Sequence, residues 1–267
     1  DNIAAARLAL REYRCLPKAH FDRRLLAQCL AQLLNGFGRG ILQPVLDGDM
    51  RLSLAAIGGQ VLELQGLGGV YSEVFVPLHG EHQAHNAVVA LAAVEAFFGA
   101  GADRQLDVDT VRAGFASVSS PGRLERMRSA PTVFIDAAHN PAGAAALASA
   151  LADEFDFRFL VGVVGVMADK DASGILTALE PVFDQIVITQ NGSPRAMDVA
   201  ELAMLAEERF GPDRVLTAAT LADAVETATA LVEEAGAEAG LSGAGMVITG
   251  SVVTAGAART LFGKDPR

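Results

Sequence analysis

The 267-residue chain has no tryptophan, only two cysteines and few aromatic residues, which make up 6% of it. The core is therefore expected to consist mainly of alanine, valine, leucine and isoleucine. Cys15 and Cys29 are too few for a disulfide framework or a cysteine-based metal site, and this usage is typical of the reducing cytoplasm. No apolar run near the beginning predicts a secretory signal, so a cytoplasmic location is expected.

Basic charge is also scarce. Lys and Arg number 21 against 32 Asp and Glu, which gives a net charge of −11. Because a phosphate backbone is bound by a basic face, this balance disfavours a nucleic-acid partner. A nucleotide ligand is not excluded, since it needs only a few local donors. Residues 239–258 carry no charge but contain five glycines, so they predict a buried strand, a turn and a helix and no membrane span.

The first part of the chain shows little sign of chemistry. Residues 1–55 predict helical pieces joined by turns. Residues 60–64 and 70–76 predict a hairpin around three glycines, Gly66, Gly68 and Gly69. A phosphate-binding reading of these glycines is disfavoured, because a strand follows them where a phosphate loop would lead into a helix.

Helical spacing begins after Pro77. Ala87, Leu91, Val94 and Phe98 recur at intervals of four, three and four, which predicts one buried helix face. Gly99 and Gly101 are expected to end this helix. A shorter helix is predicted over about 108–118, and residues 119–122 (SSPG) are interpreted as a linker.

Beyond the linker, apolar strand-like runs alternate with helical ones. This alternation predicts a doubly wound α/β domain with a mainly parallel sheet. Asn140 followed by Pro141 is a helix start, and Asp198–Glu201 and Thr220–Asp223 have capping-box spacing. Pro181 and Gly211 mark helix ends. The predicted strands are 131–136, 157–166, 184–189, 214–218 and 245–250.

In open α/β sheets, ligands bind beyond the carboxyl ends of the strands. Asp136 closes one predicted strand, and a carboxylate there suits ribose hydroxyls. His139 could donate to a phosphate at the helix start that follows, or contact a base. The alternative is that both side chains only satisfy backbone groups of their loop.

Three other groups are candidates, each with an alternative interpretation. Asp169, Lys170 and Asp171 follow a strand and fit either a charged substrate or a helix cap. Arg123 fits a phosphate clamp, but on its chemistry alone a surface ion pair is favoured, because lone arginines are usually solvated. His82 and Asn86 share a helix face, and the Asn amide suits an adenine edge, although a helix cap is the alternative. A zinc site at His79, His82 and His85 is disfavoured, because the spacing is poor and no cysteine accompanies them.

Five ordered motifs together resemble the folylpolyglutamate synthase/dihydrofolate synthase family, a branch of the Mur-ligase-like enzymes. The motifs are HGEHQAHNAVVALAAVE (79–95), SPGRLERM (120–127), VFIDAAHNP (133–141), GVMADKD (165–171) and VITGSVVTAGAAR (247–259). The resemblance covers about residues 57–267, and PGRLE followed by DAAHNP is its most specific part.

The resemblance implies a ligase with ATP held between two domains. It assigns ATP contacts to Asn86, Arg123 and Asp136, with His139 beside the nucleotide. His82, Asp169 and Lys170 are then candidates for substrate or accessory contacts. The implied division is a partial ATPase-type α/β domain over 1–120, with an unmatched segment 1–55, and a Rossmann-like C-terminal domain over 121–267.

The implied reaction joins L-glutamate to folate or dihydropteroate through an acyl phosphate, with ATP and Mg²⁺. A monomer is expected if the chain is complete. The sequence lacks the family's GKGS-type phosphate loop, its magnesium ligands and its carbamylated lysine; the one Gly-Lys pair, Gly263-Lys264, precedes Asp265. Catalysis is thus expected to need sequence absent here. The alternative is a non-catalytic nucleotide- or partner-binding remnant. A nicotinamide dehydrogenase is disfavoured, because no G-x-G-x-x-G joins a strand to a helix.

Overall fold

The computed structural model describes residues 49–98, 104–239 and 243–266. The chain divides into two compact units, with the boundary between Ser120 and Pro121. The helix ends expected at Gly99 and Gly101, and the helical pieces expected before residue 49, lie outside the described residues.

Within residues 49–98 and 104–120, the first unit contains a three-stranded antiparallel sheet and two helices. β2 and β3 form the hairpin that the sequence predicts, and β1 extends it by pairing with β2. Leu62, Val74 and Val76 pack with Ala87 and Leu91 of the first helix in one buried cluster. The elements are β1 (Asp49–Ala56), β2 (Gly59–Gln65), β3 (Val70–Val76), α1 (Glu81–Phe98) and α2 (Val108–Ala116).

One expectation for this unit was wrong. The last residues of the segment predicted as helical, 49–55, belong to the strand β1. Met50, Leu52 and Leu54 alternate with less apolar residues, which is the two-residue period of a strand. The pairing of β1 with β2 over the whole of β1 decides between the two structures.

The second unit contains a six-stranded sheet in the order β4-β5-β9-β6-β7-β8. β4 is antiparallel to β5, and the other neighbours are parallel. The elements are β4 (Glu125–Ser129), β5 (Thr132–Ile135), α3 (Pro141–Glu154), β6 (Phe159–Val164), α4 (Ala172–Leu179), β7 (Gln185–Ile188), α5 (Val199–Phe210), β8 (Val215–Thr217), α6 (Leu221–Ala239), β9 (Ala244–Thr249) and α7 (Val252–Leu261).

Helices cover both faces of this sheet. α3, α4 and α5 pack on one face, where Leu147, Leu176 and Leu202 contact the strands in a continuous core. α6 and α7 pack on the other, with Ala224 and Ala255 in a second core. The predicted α/β fold with a mainly parallel sheet is therefore confirmed. The sequence analysis did not foresee β4, because its residues ERMRS are mostly polar and show no apolar run.

The predicted helix boundaries follow from local capping. Asn140 accepts the backbone N–H of Gly143 at 2.8 Å, directly before Pro141. Asp198 accepts the N–H groups of Ala200 and Glu201, and Gly211 ends α5 with φ of 80°. Within the described residues, no helix combines the length and apolar character that crossing a membrane requires.

Candidate functional site

Asp136 lies at the carboxyl end of β5 and is almost wholly buried, with 9% of its surface exposed. One carboxylate oxygen accepts the N–H of Leu124 and the other the N–H of Ala138, both at 2.8 Å. Burial raises the pKa of Asp136; the two N–H bonds and the positive fields of Arg123 and His139 oppose that rise. Each oxygen keeps one further acceptor position, which is the chemistry that a pair of ribose hydroxyls requires.

The segment before β4 folds back onto this carboxylate. Gly122 and Leu124 have φ of 70° and 46°, the left-handed region that a non-glycine residue rarely adopts. Gly122 accepts the N–H of Ala137 at 2.8 Å, while Leu124 donates to Asp136. Arg123 is held between these two residues. Its side chain is partly exposed and forms no hydrogen bond or ion pair within the described part of the chain.

His139 is partly buried, three residues beyond Asp136. Its Nδ1 lies 2.9 Å from the carbonyl oxygen of Ala137. Because a carbonyl can only accept, Nδ1 carries the proton in this contact, which leaves Nε2 as an acceptor in the neutral ring. The predicted donation to a phosphate would therefore require the doubly protonated ring. Arg123 and His139 are each next in the chain to a residue whose N–H donates to Asp136, namely Leu124 and Ala138.

The second candidate loop follows β6. Asp169 accepts from Arg195 at 2.9 Å and pairs with Lys170 at 3.2 Å. These contacts, the hydrogen bond from Lys170 first, lower the pKa of Asp169. Asp171 is the cap of α4 and accepts the N–H of Gly174 at 2.8 Å, so the capping interpretation of Asp171 is confirmed.

The loops after β5 and β6 lie side by side. A Cβ built on Gly174 would come within 2.6 Å of Pro141 Cγ, so the first turns of α3 and α4 are in contact.

Sequence reasoning missed Arg195, which comes from the loop after β7. The bridge between Met167 and Ala196 and the hydrogen bond from Ala168 to Arg195 bring it to Asp169, and no local pattern reveals this pairing.

A buried amide, also missed, connects three of these loops. Asn191 is 4% exposed and donates to Ser251 at 3.3 Å and to Thr254 at 3.0 Å. Thr254 donates in turn to the carbonyl of Gly165 at 2.8 Å. The loops that follow β6, β7 and β9 are thus fixed by one polar network at the carboxyl edge of the sheet. Such satisfied buried networks hold a local structure rigidly.

The remaining candidates lie in the first unit. His82 and Asn86 are both on α1, which begins at Glu81, so they share a helix face as predicted. Asn86 donates one amide proton to Gln83 at 3.2 Å. The convergence of Asn86 with the Asp136 loop stays a prediction. Across the described ranges, no group of three His, Cys, Asp or Glu side chains is arranged to hold a metal ion.

Residues 122–251 match a protein family described as "Mur ligase, glutamate ligase domain". This part of the chain is therefore similar to the glutamate ligase domain of the Mur ligases.

The chain is also 73% identical, over 217 residues, to the dihydrofolate synthase/folylpolyglutamate synthase of Mycobacterium tuberculosis; the match covers 79% of this chain and 45% of that protein. It is 31% identical over 153 residues to the folylpolyglutamate synthase of Lacticaseibacillus casei, covering 57% of this chain and 35% of that one. The resemblance seen in the five motifs is confirmed.

The fold agrees with solved structures of the same group. The chain superposes on Mycobacterium tuberculosis folylpolyglutamate synthase complexed with ADP and AMPPCP with a TM-score of 0.79 and 70% identity. That superposition covers 83% of this chain and 49% of the other. The chain thus spans about half the length of the relatives it matches.

Proposed function

We propose that this chain is part of an ATP-dependent ligase that adds L-glutamate to folate and to dihydropteroate. The observation that carries the proposal is the 73% identity over 217 residues to a protein named dihydrofolate synthase/folylpolyglutamate synthase. The geometry of Asp136 and Arg123 supports the nucleotide part of it. A cytoplasmic, monomeric protein with small-molecule substrates is proposed on the same basis.

The nucleotide contacts are assigned by chemistry. The two carboxylate oxygens of Asp136 can each accept a hydrogen bond from a ribose hydroxyl. The guanidinium of Arg123, which has no partner within the described residues, can donate to a phosphate. The start of α3 adds the positive end of a helix dipole, which favours an anion. Asn86 is proposed for the adenine edge, because its amide combines a donor with an acceptor. His139 is proposed to lie beside the nucleotide.

The proposed reaction activates a folate or pteroate carboxylate by transfer of the γ-phosphoryl group of ATP. The amino group of glutamate then displaces phosphate from the acyl phosphate, forms the amide and loses a proton. Lys170, Asp169 and His82 are proposed as substrate or accessory contacts. Phosphoryl transfer depends on charge neutralisation, for which Mg²⁺ is expected. Within the described residues, no cluster of three His, Cys, Asp or Glu side chains could hold a metal ion.

A second candidate is a non-catalytic nucleotide-binding protein derived from such a ligase. The observation that favours it is the lack of a GKGS-type loop in the sequence, since a Lys-bearing loop normally cradles the transferred phosphates. Loss of one electrostatic element of this kind typically costs about 10²-fold or more in rate.

One assay separates the two candidates. The 267-residue chain is incubated with ATP, Mg²⁺, dihydropteroate or folate, and labelled glutamate, and both glutamate incorporation and ADP release are measured. Equal amounts of ADP and product support the ligase and would show that the missing loop is dispensable. ADP binding without incorporation supports the second candidate when it persists after the chain is joined to the part of the Mycobacterium tuberculosis relative that it does not cover, and a chain that neither binds ADP nor incorporates glutamate contradicts both. Asp136→Ala provides the inactive reference.

A further inference from the structure

The backbone next to Arg123 is fixed by contacts that have no part in the proposed nucleotide site. Glu125, the first residue of β4, accepts the backbone N–H of Gly122 with its Oε2 at 2.9 Å. The same oxygen forms an ion pair with Nη1 of Arg259 on α7. The ion pair therefore fixes the residue directly before Arg123, while Asp136 fixes the one directly after it.

Arg259 is unusually buried for an arginine, and its side chain is paired. Only 7% of its surface is exposed, whereas arginines are mostly exposed unless they are paired. Its Nε donates to the carbonyl of Asp265 at 2.7 Å, and its own carbonyl accepts from Lys264 at 2.9 Å. The guanidinium thus joins α7, the following turn and Glu125 into one rigid support.

The segment that this support holds is a strained one. Gly122 and Leu124 both have left-handed backbone conformations, and Leu124 does so without the freedom of glycine. Such a conformation persists only when the surrounding structure over-determines it. The N–H of Gly122, its carbonyl and the N–H of Leu124 are each hydrogen-bonded, to Glu125, Ala137 and Asp136.

We propose that Glu125, fixed by Arg259, is a positioning residue that orients Arg123 for contact with a nucleotide phosphate. Glu125 acts through the backbone of Gly122 and touches no substrate itself. Holding the loop in advance lowers the ordering cost when the phosphate binds. This inference rests on the proposed nucleotide site and adds to it the ion pair that keeps its arginine in place.

A double-mutant cycle tests the inference by calorimetric titration of the 267-residue chain with ADP. Glu125→Ala should weaken ADP binding about tenfold when Arg123 is present, the effect of one lost charge-assisted hydrogen bond. In the Arg123→Ala background the same change should alter affinity by no more than about twofold, because no guanidinium remains to be oriented. Glu125→Gln, which retains an acceptor for Gly122, should recover most of the affinity.

Two controls separate positioning from general damage. Glu180→Ala breaks a comparable pair, with Arg214 at 2.6 Å, at the opposite edge of the sheet, and should leave ADP affinity unchanged. Glu125→Ala/Arg259→Met removes both charges, so that no buried guanidinium is left unpaired. It should weaken ADP binding as Glu125→Ala does, because the Gly122 N–H still lacks its acceptor.

Amide hydrogen exchange, measured without nucleotide, tests independently whether Glu125 holds the backbone around Arg123. In Glu125→Ala, Gly122 and Leu124 should exchange about tenfold faster, while amides of β6 and β9 stay protected. Unchanged protection at Gly122, or an equal loss of ADP affinity with and without Arg123, would overturn the inference while leaving the nucleotide site intact. A parent chain that binds no ADP would instead overturn the proposed function together with this refinement.

Discussion

Tyr71 donates its hydroxyl proton to the carboxylate of Glu95 over 2.7 Å, and both residues are completely buried in the first unit. The same carboxylate accepts the backbone N–H groups of Leu67 at 2.6 Å and Gly68 at 2.9 Å. A Cβ on Gly66 would lie 2.3 Å from Glu95 Oε2, so only glycine fits there. The glycine-rich turn thus encloses an internal anion, which leaves these N–H groups unavailable to a phosphate.

Glu95→Gln should therefore destabilise the first unit. The glutamine would place an NH₂ group against donors that now share a carboxylate, leaving buried N–H groups unpaired. We expect a loss of about 3 kcal/mol in the free energy of unfolding. Urea denaturation followed by tyrosine fluorescence measures it, since the chain has only two tyrosines and Tyr71 is in contact with Glu95.

The comparison for this change is Glu81→Gln, the same substitution in the exposed first turn of α1. It should shift the free energy of unfolding by no more than about 0.5 kcal/mol. Equal shifts for the two variants would show that the Glu95 contacts add nothing beyond ordinary surface charge.

Asp136 should make stability depend on pH. Its pKa is raised in the folded protein by burial, so the folded state binds the proton more tightly than the unfolded state. The stability that this group contributes is present below the ordinary carboxyl pKa of 3.8 and is lost as pH rises through the higher folded value.

The difference in unfolding free energy between the parent chain and Asp136→Asn isolates this effect, because other titrating groups largely cancel. Asparagine cannot ionise, so the parent should lose stability relative to the variant as pH increases from about 4. Urea midpoints measured at several pH values provide the comparison. A parent that gains stability relative to the variant over that range would contradict the assignment.

Asp171 is expected to act as a helix cap and not as a ligand contact. Asp171→Ala should reduce the free energy of unfolding by about 1 kcal/mol, because the N–H of Gly174 loses its acceptor, and should leave ADP affinity unchanged. Asp171→Asn, which can still cap, should retain nearly full stability. Thermal melting and ADP titration of both variants check this. A large loss of ADP affinity with unchanged melting would reverse the assignment.

Local signals in the sequence accounted for much of the second unit. The apolar runs predicted its five parallel strands, and Asn140 with Pro141 predicted the start of α3, because caps and strand periods depend on neighbouring residues. β4 was missed because its pairing with β5 does not depend on an apolar pattern. β1 was missed although Met50, Leu52 and Leu54 carry the alternation that reveals it.

The candidate site was predictable only in part. Asp136 follows an apolar strand and was found from that position. Glu125 and Arg259 are 134 residues apart in the chain, and only the folding of β4 against α7 brings them together. Arg195 reaches Asp169 in the same way, through loops that follow different strands. Contacts of this kind carry no local signal, so sequence reasoning could not identify them.

The most direct test of the account is a calorimetric titration with AMPPCP of the parent chain, Arg123→Ala and Arg158→Ala. Arg158 is an exposed arginine at the amino end of β6, whereas Asp136 lies at the carboxyl end of β5, and it serves as the matched change. The account predicts that the parent and Arg158→Ala bind alike and that Arg123→Ala binds about tenfold more weakly or worse. Equal affinity in all three proteins would contradict a nucleotide site built around Arg123 and Asp136.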